Sequence, residues 1–363
     1  MLTWVDELAF CIPGSPPALF SDAPLRHPLN TAAGLIGNND FLPPADKARL
    51  AAFGAAGIAK CLSHPGDLDQ KSLADYAAEF GVSADVIQRL IFTAIQAVLF
   101  LPADQFSSYA AFAPVAASLQ RLMLMRLGAF NGGMTRVMIE PIANAITDRG
   151  GQIMANAPIS DLVVDDAAVV GVARDGNVVR ASHVVLAVPL KPAQDLLRPH
   201  FGQHEWFQPM LSLPSLSAAT IQFELDIPMV ETDRTNFSPT GICCFAEQSR
   251  TTFTHVAGRF SAILYPPEEF IHKEPAAVLE RVLREADQLG IPLRGHIKDY
   301  RIVNHPHDFY AMHPGTEALR PEQSTPVGGL TLSGDYTKQR FSASMEGAVL
   351  SGRRAAEAVL SKD

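Results

Sequence analysis

The stretch that most constrains the fold of this 363-residue chain lies close to its C-terminal end. A short apolar run, Leu330-Thr331-Leu332-Ser333, leads into Gly334 and Asp335, and a polar loop then precedes the amphipathic residues 349–360. An apolar strand followed by a glycine turn and a helix is typical of open α/β sheets, whose ligands bind beyond the carboxyl ends of the strands. The pattern therefore predicts an α/β fold with a cofactor crevice formed by this stretch.

Three residues of the stretch suit a polar cofactor. Asp335 directly follows the strand and is placed to accept hydrogen bonds from sugar-alcohol hydroxyls, because an ionised carboxylate is an acceptor only. Small residues at Gly347 and Ala348 let the backbone approach a planar ring closely. The first turn of the following helix offers N–H groups and a dipole that favour negative charge. These features predict a cofactor site but do not identify the cofactor.

The order of residues in this stretch carries a family resemblance. The strings Gly-Asp-Tyr-Thr-Lys-Gln at 334–339 and Ala-Ser-Met-Glu-Gly-Ala-Val-Leu-Ser-Gly at 343–352 resemble the C-terminal flavin motif of plant- and cyanobacterial-type phytoene desaturases. Those proteins are FAD enzymes of the flavin amine oxidase superfamily. The resemblance continues more loosely, in the same order, at Leu2-Thr3-Trp4-Val5-Asp6-Glu7, Pro28-Leu29-Asn30, Gly37-Asn38-Asn39 and Arg149-Gly150-Gly151.

The resemblance implies a glutathione-reductase-like FAD/NAD(P)-binding fold of the α/β class. Its substrate domain is expected to be α+β, with a mixed sheet and helices. Both domains are expected to be discontinuous in sequence. The substrate domain is assigned to residues 1–130 and 191–310, and the FAD domain to residues 131–190 and 311–363.

The resemblance also assigns individual residues to the cofactor. The flavin end maps onto Gly334, Asp335, Met345, Glu346, Gly347 and Ala348. The strand that offers backbone groups to the adenine in relatives maps onto Ile159, and the Ala-Val-Pro that leaves the FAD domain maps onto Ala187 and Pro189. An arginine that faces the flavin in the family corresponds to Arg136, one position out of register, and Arg136 is the candidate catalytic residue.

The histidines near the end of the predicted substrate domain do not suggest a metal site. His305 and His307 are two residues apart and His313 follows, but neither a cysteine nor a second histidine pair accompanies them at ligand spacing. They are expected in loops or in the core. His307 stands where the family usually has an arginine, which leaves the substrate and the electron acceptor open.

The chain contains 25 glycines, but no two of them are separated by a single residue. It therefore has no Gly-x-Gly-x-x-Gly turn, which holds the FAD pyrophosphate at a helix N-terminus. By the resemblance, Met1 falls after that unit, so the fold is expected to be N-terminally truncated. A late start codon or a fragmentary gene would explain this, as would a shortened homologue or a partner chain that supplies the missing unit. We expect weak FAD binding and an open sheet edge beside residues 327–333.

Composition argues against several classes of function. A net charge of −9 and the lack of a Lys/Arg-rich run argue against nucleic-acid binding. The four cysteines lack Cys-x-x-Cys spacing, which favours a reducing, cytoplasmic compartment. The chain has no Gly-x-Ser-x-Gly string, so hydrolase chemistry has no nucleophile signature.

The longest apolar run, residues 90–101, is too short to span a bilayer. It is either a buried core helix or a face that dips into lipid headgroups. A second apolar face at residues 122–127 is flanked by Arg121 and Arg126, which could reach lipid phosphates. We expect a cytoplasmic protein that attaches peripherally to a membrane surface.

Local patterns predict most of the secondary structure. Alternation of apolar and polar residues predicts a strand over residues 3–12. Residues 43–125 are predicted to be helical, including a helix that Gly81 ends and another that Ser83 caps. Further strands are predicted at residues 152–155, 159–164, 169–174 and 183–189, and a helix at residues 275–289.

The resemblance implies an FAD-dependent desaturase or dehydrogenase that acts on a long isoprenoid and passes electrons to a quinone-type acceptor. Such chemistry needs few side chains, because the flavin accepts the hydride while the protein orients the carbon–hydrogen bond and excludes water. Within the class, the alternative is a hydroxysqualene-type enzyme or another amine oxidase relative. The alternative of a different class is a flavin-free lipid-binding or assembly subunit.

Overall fold

The structure, a computed structural model, describes residues 2–5, 7–20, 37–118 and 127–361. The segment Pro28-Leu29-Asn30, Arg121, Arg126 and residues 122–126 of the second apolar face lie outside the described residues. The strands are β1 (Leu2–Val5), β2 (Leu8–Phe10), β3 (Ala18–Leu19), β4 (Leu127–Phe130), β5 (Asp161–Asp165), β6 (Ala168–Arg174), β7 (Asn177–Arg180), β8 (Val184–Leu186), β9 (Ser215–Leu225), β10 (Thr235–Phe237), β11 (Ile242–Glu247), β12 (Gly258–Leu264), β13 (Ile297–Tyr310) and β14 (Leu330–Leu332). The helices are α1 (Pro44–Ser63), α2 (Pro65–Asp69), α3 (Leu73–Glu79), α4 (Ala84–Val86), α5 (Thr93–Leu99), α6 (Ser108–Ala117), α7 (Glu140–Thr147), α8 (Leu190–Phe201), α9 (Gln208–Ser212), α10 (Glu268–Ile271), α11 (Pro275–Gln288) and α12 (Met345–Leu360), with π-helical turns at Ile87–Phe92 and Thr135–Ile139 and 3-10 turns at Glu205–Phe207 and Thr316–Leu319.

Seven strands form one large sheet in the order β13-β9-β12-β11-β10-β2-β3. Neighbouring strands are antiparallel except β10 and β2, which run parallel. On one face, Ile221, Phe223 and Leu225 of β9 are fully buried and belong to one cluster with Val278 and Val282 of α11. Because successive side chains of a strand point to opposite faces, the alternate residues of β9 are left to line a cavity on the other face.

A helical lobe, α1 to α6, packs against this sheet, with α5 contacting β10 and β11. Its centre is aromatic: the ring centroids of Phe53 and Phe112 are 5.2 Å apart, and those of Phe53 and Tyr76 are 5.5 Å apart. Gly57 of α1 makes room for this cluster, since a Cβ at that position would overlap the Phe112 ring. The prediction of helices from residue 43 onward is confirmed as far as residue 118.

A second, smaller sheet brings distant parts of the chain together. β8 and β14 pair in parallel, with Val184 opposite Leu330 and Leu186 opposite Leu332. The antiparallel meander of β5, β6 and β7 lies beside them, and the Val169 N–H donates to the Gly328 carbonyl at 2.9 Å. This proximity is what a two-part FAD domain requires, while the domain boundaries themselves stay a prediction.

The open edge of the parallel sheet differs from the expected one. The outer side of β14 is covered, because the Leu332 N–H donates to the Gln323 carbonyl at 2.8 Å and Ser324 forms a bridge with Thr331. No strand among the described residues pairs with the other side of β8, where Val185 is 43% exposed. The exposed edge therefore lies at β8, and the prediction of an open edge beside residues 327–333 is wrong.

Two strand predictions are also wrong. Residues 152–155 are irregular, and Ile153 and Met154 are each more than half exposed. A strand needs a neighbour for its backbone groups, and the described part of the chain supplies none at this place. The strand predicted over residues 3–12 is divided between β1 and β2, which belong to different sheets.

Predictions that depend on short-range chemistry are confirmed. The Ser83 hydroxyl accepts the Val86 N–H at 3.3 Å at the start of α4, and Gly81 follows α3 with a φ of +71°. The helix predicted at residues 275–289 is α11.

The apolar residues 90–101 lie mainly in the core, where Ile91, Ala97 and Leu101 are buried. Of the two alternatives for this segment, the structure therefore favours the core helix. Among its large apolar side chains, only Val98 is largely exposed. No described helix is both long enough and apolar enough to cross a bilayer.

Candidate cofactor site

The motif at residues 334–347 lies where β14 ends and α12 begins. The Gly334 N–H donates to the Ser351 hydroxyl at 2.8 Å, and the Ser333 and Ser351 hydroxyl oxygens are 3.1 Å apart. Ser351 thus ties the end of the strand to the second turn of the helix. Gly334 has a φ of +154°, and a Cβ there would overlap the buried Tyr336 ring. The glycine is required by the packing of the loop itself.

Asp335 is partly buried at the carboxyl end of β14. Burial raises the pKa of its carboxyl, and the nearby Asp308 raises it further, while the Tyr336 N–H and Arg320 oppose the rise. Ala187 immediately follows β8, the parallel neighbour of β14, and Pro189 is the residue before α8. Because the carboxyl ends of parallel strands meet at one edge, the sheet directs Asp335 and Ala187 to the same edge.

The N-terminus of α12 is already capped by its own chain. The Ser344 hydroxyl accepts the Gly347 N–H at 3.1 Å and donates to the Phe341 carbonyl at 2.6 Å. Glu346 adds negative charge in the first turn. The Ser344 side chain therefore occupies one of the first N–H groups of α12, and the expectation that an anionic group sits on this helix end stays a prediction.

Gly347 has a packing role in the structure, and its predicted role in the close approach of a ring stays a prediction. A Cβ at this position would overlap the Phe341 carbonyl oxygen and the Gln339 amide, so the glycine is required by the loop that packs on it. Met345 is 55% exposed, and Glu346 and Ala348 are exposed beside it. Met345, Glu346 and Ala348 are thus the exposed residues at the start of α12, and we call this exposed surface the mouth of the candidate site.

The remaining predicted residues lie elsewhere. Ile159 precedes β5 in the meander and is 39% exposed. Arg136 belongs to the π-helical turn before α7 and lines a cavity of about 560 Å³ together with Arg250 and His255. Among the described residues, the structure shows no contact that joins Ile159 or Arg136 to the Asp335 loop.

A second cavity, of about 520 Å³, lies on the open face of the large sheet. Its walls include Thr220 and Gln222 of β9 and Ile263 of β12, together with apolar residues of the β1–β4 ribbon such as Phe130. The two cavities share residues 251–253 in their walls. Arg136 thus lies beside a large, mixed polar and apolar space, which suits a role near substrate more than near Asp335.

Two of these histidines lie within hydrogen-bonding distance of neighbouring groups of the protein. The Nδ1 of His307 is 2.8 Å from the Ser215 hydroxyl, across a bulge of β13 that spans His305 to Phe309. Nδ1 of His313 is 3.0 Å from the Gln105 carbonyl oxygen. No group of three or more His, Cys, Asp or Glu side chains that could hold a metal occurs in the part of the chain that the structure describes.

Sequence reasoning missed Arg320, whose side chain is fully buried beneath the Asp335 loop. Its guanidinium donates to the backbone carbonyls of Asp335 and Tyr336, each at 3.2 Å. A charged residue buried in isolation is costly, so a buried arginine close to a predicted motif marks an organised site. The sequence offered one signal for it, a lone arginine before a proline shortly upstream of the motif.

Comparison with known proteins identifies the family. Residues 19–360 match the family model described as flavin containing amine oxidoreductase. The chain belongs to this family. It is 25% identical to the 15-cis-phytoene desaturase of Synechococcus elongatus, with 94% of this chain and 75% of that protein covered. It is 26% identical to the chloroplastic/chromoplastic 15-cis-phytoene desaturase of Solanum lycopersicum, with 99% of this chain but only 64% of that protein covered. The predicted resemblance is confirmed.

The fold is shared with solved oxidoreductases. The structure of an oxidoreductase from Methanosarcina mazei matches with a TM-score of 0.72 at 16% identity, covering 98% of this chain and 82% of that one. The likeness at this identity concerns the fold alone. It confirms the α/β fold that the sequence predicted.

A flavin fits the described residues at one end only. The partly buried Asp335, the strand edge beside Ala187 and the open mouth at Met345 suit a ribityl chain and a ring. For the pyrophosphate, the described residues contain no Gly-x-Gly turn, and the Ser344 hydroxyl caps one N–H group at the N-terminus of α12. The residues present therefore match the ring end of the family's cofactor better than its pyrophosphate.

The raised pKa of Asp335 leads to a stability prediction. A carboxyl whose pKa is raised by folding destabilises the folded state above that pKa, and the effect vanishes below the unfolded value of about 3.9. Asp335→Asn is therefore expected to melt at a higher temperature than the wild type at about pH 7.5, with the difference closing toward about pH 4. Thermal melts across pH measure it, with the exposed Asp104→Asn as the control. A variant that is less stable at neutral pH would contradict the prediction.

Proposed function

We propose that this chain forms the substrate-binding and flavin-ring part of an FAD-dependent desaturase that acts on a long isoprenoid of the phytoene type. The observation that carries the proposal is the parallel pairing of β8 and β14, which directs Ala187 and Asp335 to one edge of the sheet, with the exposed Met345 following in the same motif. Membership of the flavin amine oxidoreductase family and the likeness to 15-cis-phytoene desaturases support it. FAD, and not a shorter flavin, is the cofactor that this family resemblance implies.

The flavin, when bound, supplies the hydride acceptor for removal of hydrogen from a carbon chain. The chain's own residues hold the substrate: the cavity on the open face of the large sheet offers apolar walls at Phe130 and Ile263 with polar groups at Thr220 and Gln222. Such walls orient a flexible polyene and exclude water without acid–base chemistry. A quinone-type acceptor, which reoxidises the flavin, is part of the same proposal.

Peripheral membrane attachment also belongs to the proposal. Its support is chemical, since a long isoprenoid partitions into lipid and must be taken from there. Residues 90–101 pack mainly in the core, so we do not assign the attachment face to them. A cytoplasmic location is consistent with four cysteines that are all free thiols.

The function is tested with a chimera in which the strand, glycine turn and first helix of a family member precede this chain. We expect the purified chimera, with FAD and a short-chain benzoquinone, to convert phytoene in liposomes to products with longer conjugated systems, detected by chromatography and absorbance. Asp335→Asn is expected to lower the turnover, because it weakens the acceptor for ribityl hydroxyls. Asp104→Asn is the matched control.

Two outcomes would contradict the proposal. Turnover of an amine in place of phytoene would favour a broader amine oxidase. Binding of phytoene liposomes without FAD and without turnover would favour the flavin-free lipid-binding or assembly subunit, an alternative to which the open edge of β8 lends some support.

A further inference from the structure

Arg320 follows the 3-10 turn Thr316–Leu319 and lies wholly inside the protein. Its guanidinium is surrounded by the loop of residues 334–342. Nε donates to the Tyr336 carbonyl and Nη2 to the Asp335 carbonyl, each at 3.2 Å, and Nη2 also donates to the Thr337 carbonyl. Nη1 donates to the Gln339 carbonyl at 3.1 Å. One side chain therefore donates hydrogen bonds to four backbone carbonyls of the predicted cofactor loop, three of them consecutive.

This arrangement cannot be reproduced by a lysine. A guanidinium presents five N–H groups in a rigid plane, whereas an ammonium is a compact charge with three donors. The Tyr310 ring lies beside the guanidinium plane, with its centroid 5.1 Å from the Arg320 Cζ. Without the guanidinium, several carbonyls buried in the loop would lose their donors, and an unpaired buried acceptor is costly.

The same guanidinium is linked to the helical lobe. Its Nη1 donates to the Glu317 carboxylate at 2.7 Å. The Glu317 N–H donates to the Asp69 carboxylate at 3.2 Å, and the Ser107 hydroxyl donates to the other oxygen of that carboxylate at 2.6 Å. Asp69 ends α2 and Ser107 caps α6. A continuous chain of charged and hydrogen-bonded groups thus joins the lobe to the cofactor loop.

We propose that Arg320 is the positioning residue of the cofactor loop, and that Glu317 and Asp69 transmit the position of the helical lobe to it. Arg320 sets the backbone that carries Asp335, so it acts on a cofactor through Asp335 and does not touch the reacting atoms. The proposal rests on the proposed function only in that this loop holds the flavin. Through this link, a substrate that moves α2 or α6 changes the geometry of the flavin end.

The test measures hydrogen exchange in the full 363-residue chain, without flavin. The reporters are the loop amides of Gly334, Thr337 and Lys338, which donate to Ser351 Oγ, the Gly334 carbonyl and the Pro321 carbonyl. In Arg320→Lys these amides are expected to exchange at least about tenfold faster, the factor that loss of one charge-assisted hydrogen bond produces. The amides of β9 and β12 are expected to be unchanged. Arg294→Lys, at an exposed arginine that pairs with Glu280, is the matched control.

Arg320→Ala provides a second test, because it leaves a hole of guanidinium shape. Guanidinium chloride at a few tens of millimolar is expected to restore the slow exchange of the loop, whereas sodium chloride at the same concentration is not. Glu317→Gln keeps an acceptor but removes the charge, and is expected to quicken loop exchange less than Arg320→Lys does. If Arg320→Lys does not fold, rescue of Arg320→Ala decides the question.

Equal acceleration in the loop and in β9 and β12 would overturn the proposal, as would a loop that exchanges at the wild-type rate in both arginine variants. Failure of guanidinium to restore the loop of Arg320→Ala would also overturn it. In the chimera, Arg320→Lys is expected to weaken FAD binding about tenfold and to alter the flavin absorption bands. Since the exchange data need no flavin, a chimera without desaturase activity would count against the proposed function and leave this inference standing.

Discussion

FAD is expected to leave the purified 363-residue chain during gel filtration, so that the protein is recovered without flavin absorbance. A pyrophosphate normally rests on a glycine turn and a free helix N-terminus, and the chain has no Gly-x-Gly. The helix nearest the site is capped by Ser344. Loss of two or three charge-assisted hydrogen bonds, each worth about 1.5–3 kcal/mol, weakens binding by several orders of magnitude.

Flavin fluorescence titration measures this affinity for the chain alone and for the chimera. The chimera is expected to bind FAD tightly, whereas riboflavin, which has no pyrophosphate, is expected to bind the two proteins with similar affinity. This comparison separates the ring end of the site from the anion cradle. A yellow chain with stoichiometric FAD after gel filtration would disprove the prediction, because the pyrophosphate would then need an anion site other than a glycine turn.

A matched pair of substitutions in the motif is expected to separate stability from cofactor approach. Gly347→Val is expected to destabilise the fold by about 3 kcal/mol, because its side chain would overlap the Phe341 carbonyl and the Gln339 amide. Ala348→Val places the same valine side chain one residue later, at an exposed position. It is expected to leave the free energy of unfolding within about 0.5 kcal/mol of the wild type.

Urea denaturation of the 363-residue chain measures both variants. The chimera then reports flavin binding: Ala348→Val is expected to weaken binding of riboflavin, since Ala348 lies at the mouth, while the protein stays folded. If Gly347→Val were as stable as the wild type and lost only flavin, the sequence-based role of Gly347 as a place of close ring approach would be right and the packing role wrong.

The sequence predicted those parts of the site that depend on neighbours along the chain. The apolar run 330–333 forms β14, the turn follows at Gly334 and Asp335, and the helix over residues 349–360 is part of α12, which begins already at Met345. These predictions are confirmed. So are the Ser83 cap and the Gly81 helix end. In each case, the hydrogen bond or dihedral angle that specifies the structure involves residues a few positions apart, so the local sequence is enough to predict it.

Predictions that involve contacts between distant residues were less successful. Sequence reasoning did not foresee that a loop folds back onto Gly347, nor that Ser344 caps the helix end that was assigned to an anion. The strand predicted at residues 152–155 is absent because it has no neighbour among the described residues. Arg136 was assigned to the flavin from its position in the sequence relative to the family, and the structure places it in the wall of a cavity with Arg250.

By itself, therefore, the sequence determined the family, the α/β class, the strand–glycine–helix unit and the position of Asp335 at a strand end. Only the tertiary structure decided which sheet edge is open, which residues form the mouth and which side chain holds the loop. Arg320 lies 15 residues before Asp335, to whose carbonyl it donates. It also pairs with Glu317, whose N–H donates to Asp69, 248 residues earlier in the chain. Such contacts depend on how separate segments pack, and no local pattern of residues records them.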